Sequence, residues 1–194
     1  MAIDAAFTDF PHLTTDRLLL RSIQPHDAEA LFAIFSDADA MQFYGHLPHQ
    51  SLGDTNALIA QIQARYARRE GLRWGITRKG DDRVIGSCSL HRFDAGFHHA
   101  ETGYELQRAS WSQGIMAEAL TAILTYGFME LGLHRVEAVI DEANARSKGL
   151  LLKLGFTYEG TLRERYHFRD RFEDEHYYGL LKHEWQRPVQ TDSR

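Results

Sequence analysis

A chain of 194 residues, 43% of them hydrophobic, is long enough to bury one core without disulfide or metal staples. Its net charge of −5, with 25% of residues charged, gives no global pull toward nucleic acid or an anionic membrane. A small soluble substrate or a protein partner fits that balance better.

The single cysteine, Cys88, excludes an internal disulfide and lies in an apolar stretch, where a buried structural thiol is expected. No stretch approaches the roughly 18 apolar residues of a membrane span, and residues 1–10 carry Asp4 and Asp9 where a leader would be basic. The expected location is the cytoplasm, with no membrane partner. No repeat or linker divides the chain. It reads as one domain over 1–194 with a core over residues 13–186 and frayed tails at 1–11 and 187–194.

Residues 17–23 are short and apolar and read as a strand. Asp27 then opens a helix, because Ala28, Leu31, Phe32 and Phe35 recur at the spacing of one helical face. A second helix over 54–69 buries Ile59, Ile62 and Tyr66, with Ser51 and Asp54 as a capping box and Gly71 as its stop. Strands at 73–78, 83–93 and 100–107 follow, separated by the turn formers Lys79-Gly80-Asp81-Asp82 and Asp94-Ala95-Gly96, which is the pattern of an antiparallel meander. Over 114–131 the period becomes helical through Ala117, Leu120, Leu124, Phe128 and Leu131, and Gly132 ends it. A strand over 134–140 and a helix capped by Asn144, with Ser147, Leu150, Leu151 and Leu154 on its stripe, complete a crossover. Residues 162–181 read as a hairpin turning at Arg169-Asp170-Arg171. The fold class is α/β, a mixed sheet flanked by helices.

The segment from Glu101 to Leu120 carries the most chemistry, because a strand there ends in a short polar connection that opens directly into a strong helix. Such a helix start presents free backbone N–H groups and a positive dipole end. Phosphates are its natural ligand, although an ordinary strand-to-helix turn has the same spacing. Neither GxGxxG nor GxxxxGK[ST] is present, so nicotinamide and ATP binding have no direct support. The 11 histidines show no HExxH-type spacing, and His98 and His99 are expected as exposed turn residues, so no metal site is expected.

An ordered set of residues runs along nearly the whole chain: Thr15-Asp16-Arg17-Leu18-Leu19-Leu20-Arg21, Asp27-Ala28, Ile85-Gly86, Ala100-Glu101, Gly103-Tyr104, Trp111, Gly114, Glu118-Ala119 and Leu131-Gly132-Leu133. It continues through Arg135, Asn144, Ser147, Leu154-Gly155-Phe156, Glu159-Gly160 and Asp174. In this set the chain resembles the GNAT acetyltransferases, in the branch of the ribosomal-protein alanine and serine N-acetyltransferases. The resemblance implies a mostly antiparallel sheet with a V-shaped splay between the strands at 100–107 and 134–140. It implies acetyl-coenzyme A in that opening as cosubstrate. Backbone groups around Leu106 and Gln107, together with Asn144, would hold the pantetheine. The N–H groups of Trp111, Ser112, Gln113, Gly114, Ile115, Met116 and Ala117 would cradle the pyrophosphate. Two residues depart from the family loop, Ser112 where glycine is usual and Met116 where a small residue is usual, and both are expected to crowd the phosphates.

By the same resemblance Glu101 stands where relatives carry a general base, and a structural or amine-orienting carboxylate is the alternative. Ser147 matches a hydroxyl near the thioester sulfur, with Tyr104 as a second hydroxyl candidate. The basic and acidic residues from Arg163 to Glu175 read as a solvated hairpin that also borders the acceptor entrance. Three functions follow: acetylation of a protein N-terminal α-amine, acetylation of a small amine such as a polyamine, amino sugar or antibiotic, and a catalytically silent coenzyme A-binding domain. A homodimer stays open in each.

Overall fold

The computed structural model describes residues 2–94, 96, 98–168 and 170–185. Eight strands form one sheet: β1 (Leu13–Thr14), β2 (Leu18–Ser22), β3 (Gly71–Arg78), β4 (Asp81–His91), β5 (His99–Leu106), β6 (Arg135–Asp141), β7 (Thr157–Phe168) and β8 (Arg171–Leu181). Their order across the sheet is β1-β2-β3-β4-β5-β6-β8-β7. Every pairing is antiparallel except β5 with β6. The expected meander is β3-β4-β5, and the expected crossover is the parallel β5–β6 pair.

Helices cover both faces because each strand of the centre is apolar on one side and packs a second set on the other. On one face α4 (Ile115–Thr125) and α5 (Ala145–Lys153) set Ile115, Leu120, Ile123 and Leu151 against Trp74, Cys88, Leu90 and Val136. On the other, α2 (Ala28–Phe35) and α3 (Leu52–Ala67) close a smaller cluster of Leu31, Ile34, Phe35, Ile59 and Val84. Ser51 and Asp54 form the expected capping box at the start of α3. Asp27 does more than begin a helix: it is buried and takes both Arg21 guanidinium nitrogens at 2.8 Å, tying α2 to β2. Cys88 is fully buried, and burial pushes its thiol up, as suits an inert structural residue.

Three expectations are corrected. The tail expected over 1–11 is ordered from Ala2 onward, for α1 (Ala2–Ala6) buries Ile3 and Ala6. Phe7 and Phe10 then pack on Tyr66 and Trp74, and the Trp74 indole donates to the Pro11 carbonyl at 2.6 Å. The physical reason is that the exposed ends of those large rings need a cover. The helix expected over 114–131 is α-helical only to Thr125, and its last turn, Tyr126–Glu130, widens to a π-helix. The hairpin strand begins at Thr157, five residues ahead of expectation, and pairs with β8 through two irregularities. Residues 187–194, Ala95 of the second turn and Arg169 of the hairpin turn lie outside the described residues.

Candidate active site

The β5–β6 pairing lasts only three residues, His99 with Arg135, Ala100 with Val136 and Glu101 with Glu137. Beyond Glu101 the two strands diverge, so the β5 edge from Thr102 to Leu106 has no strand partner toward β6. That open edge is the V-shaped splay, and its backbone polar groups are available to a ligand. Leu106 and Gln107 stand at its upper end. The Gln107 N–H is already committed to Ile85 O at 2.9 Å, and the Leu106 carbonyl accepts the Trp111 indole N–H at 2.8 Å.

The chain then turns through Trp111, Ser112, Gln113 and Gly114 into α4. Gly114 is the N-cap with φ of 74°, a left-handed conformation that glycine adopts freely, and no side chain caps the helix. The N–H groups of Ile115, Met116 and Ala117 therefore have no intrahelical acceptor, and the helix dipole points out through them. Ser112 also has a positive φ, 58°, so the usual glycine of this loop answers to backbone conformation. Met116 does not crowd the loop as the sequence suggested: its side chain is 8% exposed and turns into the core, as does that of Ile115. Only their backbone faces outward.

Residues distant in the chain brace this loop. Arg17 donates through Nε to Glu118 at 2.6 Å and through Nη1 to the Gln113 carbonyl at 3.0 Å. Thr15 Oγ1 donates to Glu118 at 2.5 Å, and Arg78 holds the Gln113 side-chain oxygen at 2.8 Å. Burial alone would push the Glu118 carboxyl up, but these donors hold it below the usual carboxylate range.

Across the splay, Asn144 caps α5 by accepting the Ser147 N–H on Oδ1 at 3.1 Å. Its amide nitrogen makes no hydrogen bond to a described residue and remains a donor. The Arg146 guanidinium lies 4.2 Å above the Trp111 ring, joining α5 to the turn before α4. Ser147 Oγ and Tyr104 OH stand 2.5 Å apart, so the two hydroxyl candidates form one pair beside the splay. Burial pushes the Tyr104 phenol up to about 12, which keeps it a proton donor at neutral pH.

The other sequence-derived site residue, Glu101, projects from the opposite face of β5, toward α2 and α3. His91 Nε2 lies 3.3 Å from one of its oxygens and Arg92 Nη1 donates to the other at 2.8 Å. Burial raises the Glu101 carboxyl, but these two partners outweigh it and leave it below the ordinary range. On the same face Arg73 donates to Ser87 Oγ at 2.7 Å and to Glu105 at 2.5 Å, and Tyr44 donates to Glu105 at 3.0 Å. Ser87 also donates to Glu105. Burial works against the Arg73 charge, yet Glu105 and Tyr44 hold it protonated.

Arg73, Ser87, Ser89, His91 and Glu105 escaped the sequence reading. The available signal was the alternation along β4, which puts Ser87, Ser89 and His91 on one face of a central strand. His98 is exposed as expected, but His99 is half-buried at the start of β5 with Nε2 2.9 Å from Glu137. No group of three or more candidate metal ligands occurs among the described residues.

An open strand edge leading to an uncapped helix start fits an acetyl thioester carried on a phosphate-bearing arm, and the comparisons agree. A model of the acetyltransferase (GNAT) domain matches residues 17–157. The N-acetyltransferase YoaA of Bacillus subtilis, named as uncharacterized, is 38% identical over 173 residues, covering 89% of this chain and 98% of its own. The [ribosomal protein uS5]-alanine N-acetyltransferase of Escherichia coli is 29% identical over 157 residues, covering 76% of this chain and 79% of its own. The crystal structure of a GNAT-family acetyltransferase from Bacillus anthracis superposes with a TM-score of 0.81 at 26% identity, covering 90% of this chain and all of that one. With a family model spanning most of its length and an open sheet of the same architecture, this chain belongs to the GNAT acetyltransferases and is an acetyl-transferring enzyme.

Proposed function

We propose that the chain acetylates the α-amine of a protein N-terminus. The donor of this family is acetyl-CoA, which supplies an activated thioester carbon. In this reading the N–H groups of Ile115, Met116 and Ala117 hold the pyrophosphate, and the open β5 edge with the Asn144 amide holds the pantetheine. The Tyr104–Ser147 pair stands ready to donate a proton to the departing thiolate. The acceptor enters on the face of α2 and α3, and its proton leaves toward the Glu101 cluster.

One observation carries the choice of acceptor: the three carboxylates nearest the vertex of the splay are each paired with a cation. Glu101 meets His91 and Arg92, Glu105 meets Arg73, and Glu137 meets Arg135. These three leave no surplus of negative charge at the vertex to gather a polycation, and Asp141, further along β6, is held by the Tyr166 hydroxyl and the Ala143 N–H. A site without that surplus favours the amine that is easiest to deprotonate. An α-amine titrates near 8 and an alkylamine near 10.4, a difference worth about 3 kcal/mol in presenting the neutral form. The uS5-alanine activity named for the Escherichia coli relative supports the same reading.

The test is thiol release from acetyl-CoA over peptides beginning with Ser, Ala or Met, set against polyamines, amino sugars and aminoglycoside antibiotics. Peptides should give kcat/KM at least tenfold above every small amine. A small amine turned over faster than all the peptides overturns the acceptor.

A further inference from the structure

Ser89, His91 and Glu101 stand in a line that ends at the vertex of the splay. Ser89 Oγ is 3.2 Å from His91 Nδ1, and His91 Nε2 is 3.3 Å from Glu101 Oε1. The β4–β5 register places His91 opposite Glu101 and Ser89 opposite Gly103. Gly103 is the second residue beyond the last β5–β6 pair. A Cβ built on it would lie 3.5 Å from His91 Cε1 and 3.6 Å from Ser89 Oγ. The space that a side chain would fill is thus bounded by the imidazole and the serine hydroxyl, beside the place where β5 and β6 part.

We propose that His91 is the base that takes the proton of the acceptor ammonium, with Ser89 as the hydroxyl that connects it to the cleft. Glu101 and Arg92 are then positioning residues. This rests on the acetyl transfer to an amine argued above and names the atom that receives the proton. Both Glu101 oxygens already hold cationic or N–H partners, which stabilises the anion and makes it a poor proton acceptor. Imidazole is the side chain that ordinarily titrates between pH 5 and 8, where a general base works best. A ring proton on Nε2, the atom 3.3 Å from Glu101 Oε1, leaves the lone pair of the neutral ring on Nδ1, 3.2 Å from Ser89 Oγ.

The step balances without any further reactant. The ammonium N–H bond breaks, and its proton moves to Ser89 Oγ as the serine proton moves to His91 Nδ1. Ser89 must swing its O–H from the Gly103 carbonyl, 3.2 Å away, toward the ring. The electron pair left on the amine nitrogen attacks the thioester carbon, the C–S bond breaks, and the departing thiolate takes the Tyr104 proton. The second proton that the nitrogen loses as the amide forms restores the phenol through solvent. The imidazolium, held by Glu101, returns its proton to solvent, which reaches a ring whose side chain is 23% exposed.

The charges facing His91 are few. Glu101 faces it from β5 and Arg92 follows it in the chain, while β3 presents only Gly71 opposite. On β6 Glu137 faces Glu101 and is itself paired with Arg135 and His99.

The test is the pH dependence of kcat/KM on whichever amine the wild type acetylates. His91→Gln should lose about 10²–10⁴-fold near neutral pH, lose the wild-type limb on the acid side, and show in its place a rise only near the pKa of the amine, recovering at high pH where the amine is already neutral. The acetyl-CoA thermal shift should be unchanged, which marks the variant as folded. Glu101→Gln should keep the limb but move it to lower pH, because the imidazolium loses its anion, and Arg92→Gln should move it to higher pH. Ser89→Ala should cost about tenfold, as expected for a relay that a water can replace. The wild-type limb retained at its own pH in His91→Gln, or abolished only in Glu101→Gln, overturns the assignment. Should His91→Gln fail to fold, nitrogen-15 spectra of the wild type decide: the Nε2–H tautomer supports the base at Nδ1, and the Nδ1–H tautomer overturns it. A wild type that prefers small amines to peptides defeats the acceptor reading alone, and the His91 experiment then runs on that amine.

Discussion

The loop that opens α4 and the polar face beneath α2 and α3 are the two halves of the proposed site, yet they are built on different principles. The loop is local: Trp111 to Ala117 is one continuous run, with the Trp111 N–H committed to the Arg108 carbonyl and the N–H groups of Ile115 to Ala117 left open, braced from outside by Arg17 and Arg78. The polar face is assembled from Arg73 on β3, Ser87 to His91 on β4, Glu101 to Glu105 on β5 and Tyr44 from the α2–α3 connection. What it presents is side chains held by one another. The lesson is that the loop should tolerate side-chain loss in binding, whereas the face should not tolerate it in stability.

The largest expected effect tests the face. Arg73 and Glu105 are buried together, with side chains 17% and 2% exposed, and their attraction offsets the cost of leaving water. Arg73→Met removes one partner and should cost about 3–5 kcal/mol in denaturant unfolding, because Glu105 stays buried without its cation. Arg73→Met with Glu105→Leu should recover much of the loss. A single variant within 1 kcal/mol of wild type would show the face to be held by packing alone.

The same contrast explains what was legible in the sequence. The order of strands and helices, the Ser51–Asp54 box, the Asn144 cap and the uncapped helix start are all written within a turn or two of chain, so periodicity and cap residues reveal them. The splay was legible only through resemblance, because no local pattern says that β5 and β6 pair for three residues and then part. Glu101 was visible as a carboxylate, but its two partners were not. His91 is ten residues before it on another strand, and only the β4–β5 register brings them together. Arg73 and Glu105 are 32 residues apart, and neither shows by its neighbours that it is buried. Residues 1–11 misled for the opposite reason: a polar, short segment looks unbound until Tyr66 and Trp74 are seen to need its aromatic rings.

A second prediction sharpens the comparison on the loop side. Met116 contributes its backbone to the helix start and its side chain to the core. Met116→Ala should therefore cost about 2–5 kcal/mol of stability through the cavity it leaves, with acetyl-CoA affinity within tenfold of wild type. A loss of binding beyond tenfold, about 1.4 kcal/mol, at unchanged stability would mean that the side chain touches the ligand and that the loop is less purely a backbone device.

The smallest effect is the most pointed. Ser112 has φ of 58°, a conformation that costs a residue with a Cβ roughly 1–2 kcal/mol. Glycine removes that cost but brings about 0.5–1 kcal/mol of extra chain entropy to lose on folding. Ser112→Gly should then raise stability by up to about 1 kcal/mol, a rise of about 2–4 °C in Tm for a chain of this size. Because the phosphates are expected on backbone N–H groups, removing the hydroxymethyl should leave acetyl-CoA affinity equal or better. Isothermal titration and thermal melts read both quantities on one preparation. If stability rises but affinity falls more than tenfold, the Ser112 hydroxyl is itself a ligand donor, and this loop binds through a side chain as the opposite face does.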